Sequence, residues 1–150
     1  MTALRVHTHE HFECCVDAPL DSAWPLFGAS RERDWAPDWH PRFVWPPVAH
    51  DQQGMVFEIA DGDETAIWVN TSLDSGANRI QYVYVIPNIV VTVITLKLTQ
   101  SGPSTRVAVT YDRTALAEAA NERVRHLAAR DKKAGREWSA QINQYLASRR

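Results

Sequence analysis

Apolar and polar residues alternate through most of this chain, and the period changes near its carboxyl end. Between Arg42 and Thr114 the period is two. Arg42–Trp45, Met55–Ala60, Thr65–Leu73, Arg79–Ile86, Ile89–Thr99 and Thr105–Thr114 each read as a strand with one apolar face. Turn-forming residues separate them: Gln53-Gly54, Asp61-Gly62-Asp63, Asp74-Ser75-Gly76, Pro87-Asn88 and Ser101-Gly102-Pro103. Links this short join neighbouring strands as hairpins, so the sheet is predicted to be antiparallel. An earlier strand, Val6–Val16, puts Phe12, Cys14 and Val16 on one face and is stopped by Asp17-Ala18-Pro19. Asp21 or Ser22 can then cap a short helix carrying Ala23, Trp24, Leu26 and Phe27, with Pro25 in its first turn. Ser30 can cap a second, Arg31–Asp34. The stretch Trp35-Ala36-Pro37-Asp38-Trp39-His40-Pro41 is too rich in proline for a helix or a central strand.

From about Asn121 to Leu146 the period becomes helical. Val124, Leu127, Ala128, Gly135, Trp138, Ile142, Tyr145 and Leu146 fall on one stripe of a helix about 39 Å long. Arg125, Arg130, Lys132, Lys133 and Arg136 lie on the other side. A stripe this long must be covered by something wide. The predicted architecture is therefore α+β: a curved seven-stranded antiparallel sheet wrapped around a long C-terminal helix, with two short helices after the first strand. Asp131 and Gly135 interrupt the stripe.

With 150 residues and 45% hydrophobic content, a single domain over 1–150 is expected. A formal charge of −2 gives no global attraction to nucleic acid or membrane. The charge is unevenly spread: residues 121–150 hold eight Lys/Arg against three Asp/Glu, and the remainder hold eight against fifteen. Cys14 and Cys15 are adjacent, so on a strand they point to opposite faces and make poor disulfide partners. Met1–Glu10 lacks the apolar core of a signal peptide. The most apolar region, Tyr82–Leu98, is broken by Pro87-Asn88 and several threonines, which argues against a membrane span. A soluble cytoplasmic protein is expected.

Several short stretches carry a family resemblance: Val16-Asp17-Ala18-Pro19 with Trp24 and Phe27, Trp35-Ala36-Pro37-Asp38-Trp39, Ile67-Trp68-Val69, Arg106-Val107-Ala108-Val109-Thr110-Tyr111, and Trp138 in the last helix. In order and spacing the chain resembles the helix-grip proteins of the START-like (SRPBCC) superfamily. That group contains polyketide cyclases/dehydratases, Bet v 1-like proteins and activators of Hsp90 ATPase. The resemblance implies an internal cavity between sheet and helix, and it implies no single activity.

Within that frame the inner-surface candidates are aromatic or polar. Tyr82 and Tyr84 share a face with Ile80 and Ile86, and Tyr111 and Arg113 share one with Val107 and Val109. Either these hydroxyls bond one another across the sheet or they hold a ligand's polar end, since an unpaired buried polar group costs ~1–3 kcal/mol. Trp35 and Trp39 either plug one end of the core or wall a cavity entrance. His40 beside them, and Asp131 on the helix, are the general acid/base candidates. Trp68 is a weaker candidate, as are Glu58 and Asn70, because a one-residue slip in register would turn them to the other face. Asp131 either places a carboxylate beside the cavity or pairs with a rim arginine such as Arg113. Gly135 either leaves room for a ligand or relieves a crowded contact, and Trp138 would form the floor.

Other motifs point to blander roles. His7, His9 and His11 alternate on the face opposite Phe12, Cys14 and Val16, and so are expected to face solvent without a physiological metal. Asp61-Gly62-Asp63-Glu64 reads as a tight turn rather than a calcium loop. Nucleophile, phosphate-loop and paired-histidine motifs are missing from the sequence, and no cofactor is expected. The expected partner is a small hydrophobic or aromatic molecule with one polar end, bound by Trp39, His40, Trp68, Tyr82, Tyr84, Tyr111, Arg113, Asp131, Gly135 and Trp138. A cyclase/dehydratase working in the same cavity is the alternative. A protein-interaction module using the basic helix face, like the Hsp90 activators, is a second. A homodimer is compatible with the sequence.

Overall fold

The structure, a computed structural model, describes residues 4–150; Met1–Ala3, part of the amino-terminal stretch discussed above, lie outside the described residues. Seven strands form one antiparallel sheet: β1 His7–Val16, β2 Arg42–Trp45, β3 Val56–Asp61, β4 Glu64–Asp74, β5 Arg79–Ile86, β6 Val90–Ser101 and β7 Ser104–Ala115. Their spatial order is β1-β7-β6-β5-β4-β3-β2. Every neighbouring pair but one is consecutive in the chain, as the short turn signals require. The exception is β1, which joins β7 with His7 opposite Thr114 and Val16 opposite Thr105.

The period-two pattern becomes two sheet faces. On β6, Val90, Thr92, Ile94, Leu96 and Leu98 are buried while the residues between them are not. On β1 the buried set is Phe12, Cys14 and Val16, and His7, His9 and His11 stand exposed on the other face. His7 bonds Thr114 at 2.8 Å and His9 bonds Asp112 at 2.5 Å, both on neighbouring β7. Two-residue hairpins close at Asp61–Glu64 and Ser101–Ser104, where Gly62 (φ +61°) and Gly102 (φ +60°) adopt the left-handed conformation.

After β1 the chain makes α1, Leu20–Ala23, followed by 3₁₀ turns at Trp24–Phe27 and Arg31–Asp34. The first short helix starts earlier than the sequence suggests, with Pro19 rather than Asp21 or Ser22 at its N-cap, and it tightens into 3₁₀ at Trp24-Pro25. The expected terminal helix is present as two pieces, α2 Asn121–Asp131 and α3 Ala134–Ser148. Lys132 and Lys133 form a tight turn between them, with the Lys133 amide donating to Arg130 O. Lysine is a good helix former and no proline is nearby, so the break comes from tertiary contacts on either side of it.

α2 and α3 lie against β1, and α2 also against β7. Val124, Ala128 and Ile142 are buried in that contact. β1 is an edge strand, and α3 covers part of its open edge. Ser139 Oγ accepts from the Cys15 amide at 3.0 Å; Asn143 accepts from the Asp17 amide at 2.8 Å and donates to Cys15 O at 3.0 Å. Burial, and next to it Cys15, push the Cys14 thiol up to about 12, which leaves it an inert core group. Because the helices lean towards β1 and β7, the concave side of the opposite half of the sheet is left for residues 35–39 to cover.

Candidate functional site

Between that half of the sheet, residues 35–39 and the two terminal helices lies a cavity of about 450 Å³. Trp35 and Trp39 wall one side. Their indole N–H groups are occupied locally, donating to Leu26 O and Ala29 O, each at 2.7 Å. The rings are thereby fixed in place, with no N–H left to turn towards the cavity. Trp68 and Tyr84 stack across the sheet from adjacent strands, centroids 4.6 Å apart, and Trp39 meets Trp68 edge-on at 5.2 Å. Trp138 of α3 closes the inner end, packed on Phe12 at 5.1 Å and on Trp35 at 5.5 Å.

The sheet's polar groups sit at the centre of this wall. Tyr82 is buried and donates to Phe27 O at 3.0 Å. Burial, with smaller contributions from Glu32 and Asp51, holds its hydroxyl well above the ordinary phenol range. Arg113 is 5% exposed and Asp131 6%. They form a two-pronged pair, Nε to Oδ2 at 2.7 Å and Nη2 to Oδ1 at 2.8 Å. Nη1 of the same arginine donates to Tyr84 Oη at 2.5 Å and Thr92 Oγ1 at 3.2 Å, and the guanidinium lies 4.7 Å from the centre of the Tyr111 ring. Burial opposes the arginine's charge; the Asp131 carboxylate more than offsets this, and the guanidinium stays protonated. At the mouth, Arg123 of α2 grips Glu64 of β4 at 2.6 and 2.7 Å and holds that carboxylate below its ordinary range.

Trp39, Trp68, Tyr82, Tyr84, Tyr111, Arg113 and Trp138, seven of the residues named from sequence, border this one cavity. The other three do not. His40 is exposed and is not part of the lining. Asp131 stands behind Arg113, its two oxygens used by that arginine, so its carboxylate is spent on an internal pair. Gly135 faces β1 rather than the cavity: a Cβ there would fall inside contact distance of Glu13 O and 3.3 Å from its carbonyl carbon. The glycine allows close approach of helix to strand and does not border this cavity. Glu58 lies outside the lining and pairs with Arg42 at 2.7 Å. Asn70 is buried, with its Oδ1 unpartnered among the described residues. Among the described residues no three His, Cys, Asp or Glu side chains gather as a metal set.

Among the cavity residues that their sequence context did not single out, Glu32 differs from the rest. Glu32, on the second 3₁₀ turn, borders the cavity in the same wall as Trp35 and Trp39. Glu32 is half-buried, and burial followed by the nearby Asp51 charge lifts its carboxyl well above the ordinary value of 4.5, with no cation or hydrogen bond among the described residues to offset either. Asp51 is anchored beneath by the Ser30 amide at 2.9 Å and the Ser30 hydroxyl. In the sequence Glu32 looks like one charge of Arg31-Glu32-Arg33-Asp34, a solvated turn.

A raised carboxyl keeps its proton in the folded state where the unfolded chain has lost it. The associated stability is complete below the unfolded value of 4.5 and is lost as pH rises through the folded value. Glu32→Gln is expected to remove that loss, so the variant gains stability relative to wild type as pH rises above 4.5. Urea midpoints taken at a series of pH values measure this; midpoints that track wild type at every pH would show the carboxyl to be solvated.

No protein-family model matches the sequence, and no curated protein does. Solved structures do match in shape. Norcoclaurine synthase from Thalictrum flavum, in complex with dopamine and hydroxybenzaldehyde, aligns over 97% of this chain and 90% of its own, with a TM-score of 0.70 and 13% identity. Mll3558 from Rhizobium loti aligns over 93% and 99%, with a TM-score of 0.63 and 18% identity. DynU16, a protein of the dynemicin biosynthetic locus, aligns over 93% of this chain with a TM-score of 0.62 and 15% identity, and this chain spans 47% of its length. Identities this low speak to fold alone, and the fold of this chain, a curved seven-stranded antiparallel sheet around terminal helices, is the helix-grip fold.

Proposed function

We propose that this protein binds a small hydrophobic or aromatic molecule with one polar end in the cavity between the sheet and the terminal helices. The observation that carries this is the cavity itself: about 450 Å³, left open where a packed core would fill it, and walled by Trp35, Trp39, Trp68 and Trp138. The complex of norcoclaurine synthase with dopamine and hydroxybenzaldehyde shows two small aromatic molecules on a protein of this fold, and supports the same use here. A cyclase/dehydratase working in the same cavity remains the alternative, supported by a synthase and a biosynthetic-locus protein among the neighbours, but without His40, which is outside the cavity, or Asp131, which is consumed by Arg113. The basic helix face has no observation behind it beyond its charge.

The test uses N-phenylnaphthylamine, a neutral probe that brightens in apolar surroundings. Saturable one-to-one binding with quenching of tryptophan emission is expected, because four indoles border the site. Ala66, small and on the lining, offers a way to fill the space: Ala66→Phe should weaken binding about tenfold or more, the loss of ~1.4 kcal/mol of contact. Non-saturable binding, or binding that Ala66→Phe leaves unchanged, would overturn the proposal. Native mass spectrometry of protein purified from its own host would then identify the natural occupant.

A further inference from the structure

The cavity's walls and charges restrict what its ligand's polar end can be. The lining carries five carboxyls against three guanidiniums. Two of the three guanidiniums are already engaged, Arg113 by Asp131 and Arg123 by Glu64, which leaves Arg130. Of the carboxyls, Glu32 stands out. It precedes Trp35 by three residues and shares the wall of Trp35 and Trp39, and among the described residues neither a cation nor a hydrogen bond meets it. The rings of Trp35 and Trp39 cannot turn their N–H groups to it, because Leu26 O and Ala29 O already hold them. The space therefore presents aromatic side chains and, apart from the exposed Asp38, Asp61 and Glu137, one half-buried carboxyl with no partner among the described residues.

Resting on the cavity-binding reading above, the geometry points to a cationic amine, a primary or quaternary ammonium on an apolar or aromatic body, as the class of ligand, with Glu32 as its counter-ion and the tryptophan faces as its cage. Ring quadrupoles attract a cation over their faces, most strongly for Trp, and the attraction grows when water is excluded. A carboxylate facing an ammonium in the same enclosure adds charge pairing that Glu32 lacks in the empty protein. Even with Glu32 neutral, the other four carboxylates against three guanidiniums leave the walls slightly acidic, which favours a cation over an anion on approach. A fatty acid, an organic carboxylate or a phosphate ester would meet the opposite field.

Binding such a ligand has a proton signature. The empty cavity holds Glu32 as the neutral acid over a pH range above its ordinary value, with Asp51, Tyr82 and Tyr111 as the other titratable groups that sense it. An arriving ammonium keeps its own proton and favours the carboxylate, so the Glu32 proton leaves to solvent as the pair forms. No bond to carbon is made or broken.

Isothermal titration with three probes of one shape tests this: phenethylamine, which is cationic at neutral pH, phenethyl alcohol, which is neutral, and hydrocinnamate, which is anionic. The amine is expected to bind at least about tenfold tighter than the alcohol, and hydrocinnamate weakest of the three. Repeating the amine titration in buffers of different ionisation enthalpy should show proton release. Glu32→Gln should abolish that release and collapse the amine's advantage over the alcohol; Trp39→Leu, a second variant, should cost the amine more than the alcohol. If alcohol and amine bind equally, or if hydrocinnamate binds tightest, the amine inference falls and the cavity-binding reading stands. If no probe binds and N-phenylnaphthylamine also fails, both fall.

Discussion

Asp131→Ala is expected to destabilise the fold by about 3–5 kcal/mol, the cost of leaving a buried charge without its partner. Arg113 has no alternative carboxylate at hand. Its Nη1 is turned to the hydroxyls of Tyr84 and Thr92, which accept hydrogen bonds but carry no charge, and its face lies against the Tyr111 ring. Neither solvent nor a ligand replaces the lost acceptor cheaply, because the arginine is only 5% exposed. Removing both ends gives the control. Asp131→Leu with Arg113→Met exchanges the pair for apolar volume, and most of the loss should return, since the desolvation cost of both charges disappears with them. Urea unfolding of the two variants measures this. A single variant within about 1 kcal/mol of wild type would mean that water reaches the pair.

That pair also shows where the sequence stops being informative. The strands were legible because alternation is a local property: Arg42–Trp45 and Arg79–Ile86 in the structure keep the bounds that the pattern alone suggests. The pattern also gave the order of elements, and the resemblance in the aromatic and Val-Asp-Ala-Pro stretches added the expectation of a cavity. Which inward-pointing groups would meet a ligand depended on distances across the sheet. Tyr84, Tyr111 and Arg113 come from two strands separated by β6, and only their assembled positions show that Arg113 looks both ways, to Asp131 behind and to Tyr84 in front. Asp131 and Arg113 were each visible as polar residues on apolar faces. That they neutralise one another was one of two open possibilities.

His40 and Glu32 reverse their apparent merits for a similar reason. A histidine beside two tryptophans looks chemical, and a glutamate between two arginines looks solvated. The fold turns residues 35–39 so that both tryptophans face inwards while His40 stays exposed, and it lays the Glu32 turn against the same cavity. The break at Lys132-Lys133 was hidden too, because the helical period runs across it almost in phase. Each piece has its own partner beside the break: Asp131 pairs with Arg113 of β7, and Gly135 lies close to Glu13 of β1.

The second of those partners sets up two opposed effects of known sign. Within an isolated helix Gly135→Ala should stabilise by about 1 kcal/mol, since alanine restricts the unfolded chain and suits the helix. Here the added methyl would lie inside contact distance of Glu13 O and 3.3 Å from both the Glu13 carbonyl carbon and the Phe12 ring. Glu13 belongs to a strand paired with Ala108 of β7, so its backbone cannot retreat without opening the sheet. α3 must move instead, and the Ser139 and Asn143 bonds that cover the edge of β1 move with it. Overpacking of this kind costs about 1–3 kcal/mol, and the strand-edge bonds add to it, so the clash outweighs the helical preference and the variant should be less stable than wild type. Ala140→Gly, at an exposed position of the same helix, isolates the propensity term with the ordinary loss of about 1 kcal/mol. The displacement also carries Trp138, which closes the inner end of the cavity against Phe12 and Trp35, so Gly135→Ala should weaken probe binding while Ala140→Gly leaves it intact. Greater stability in Gly135→Ala, with unchanged probe affinity, would mean that helix and strand are farther apart than the close approach at Glu13 requires.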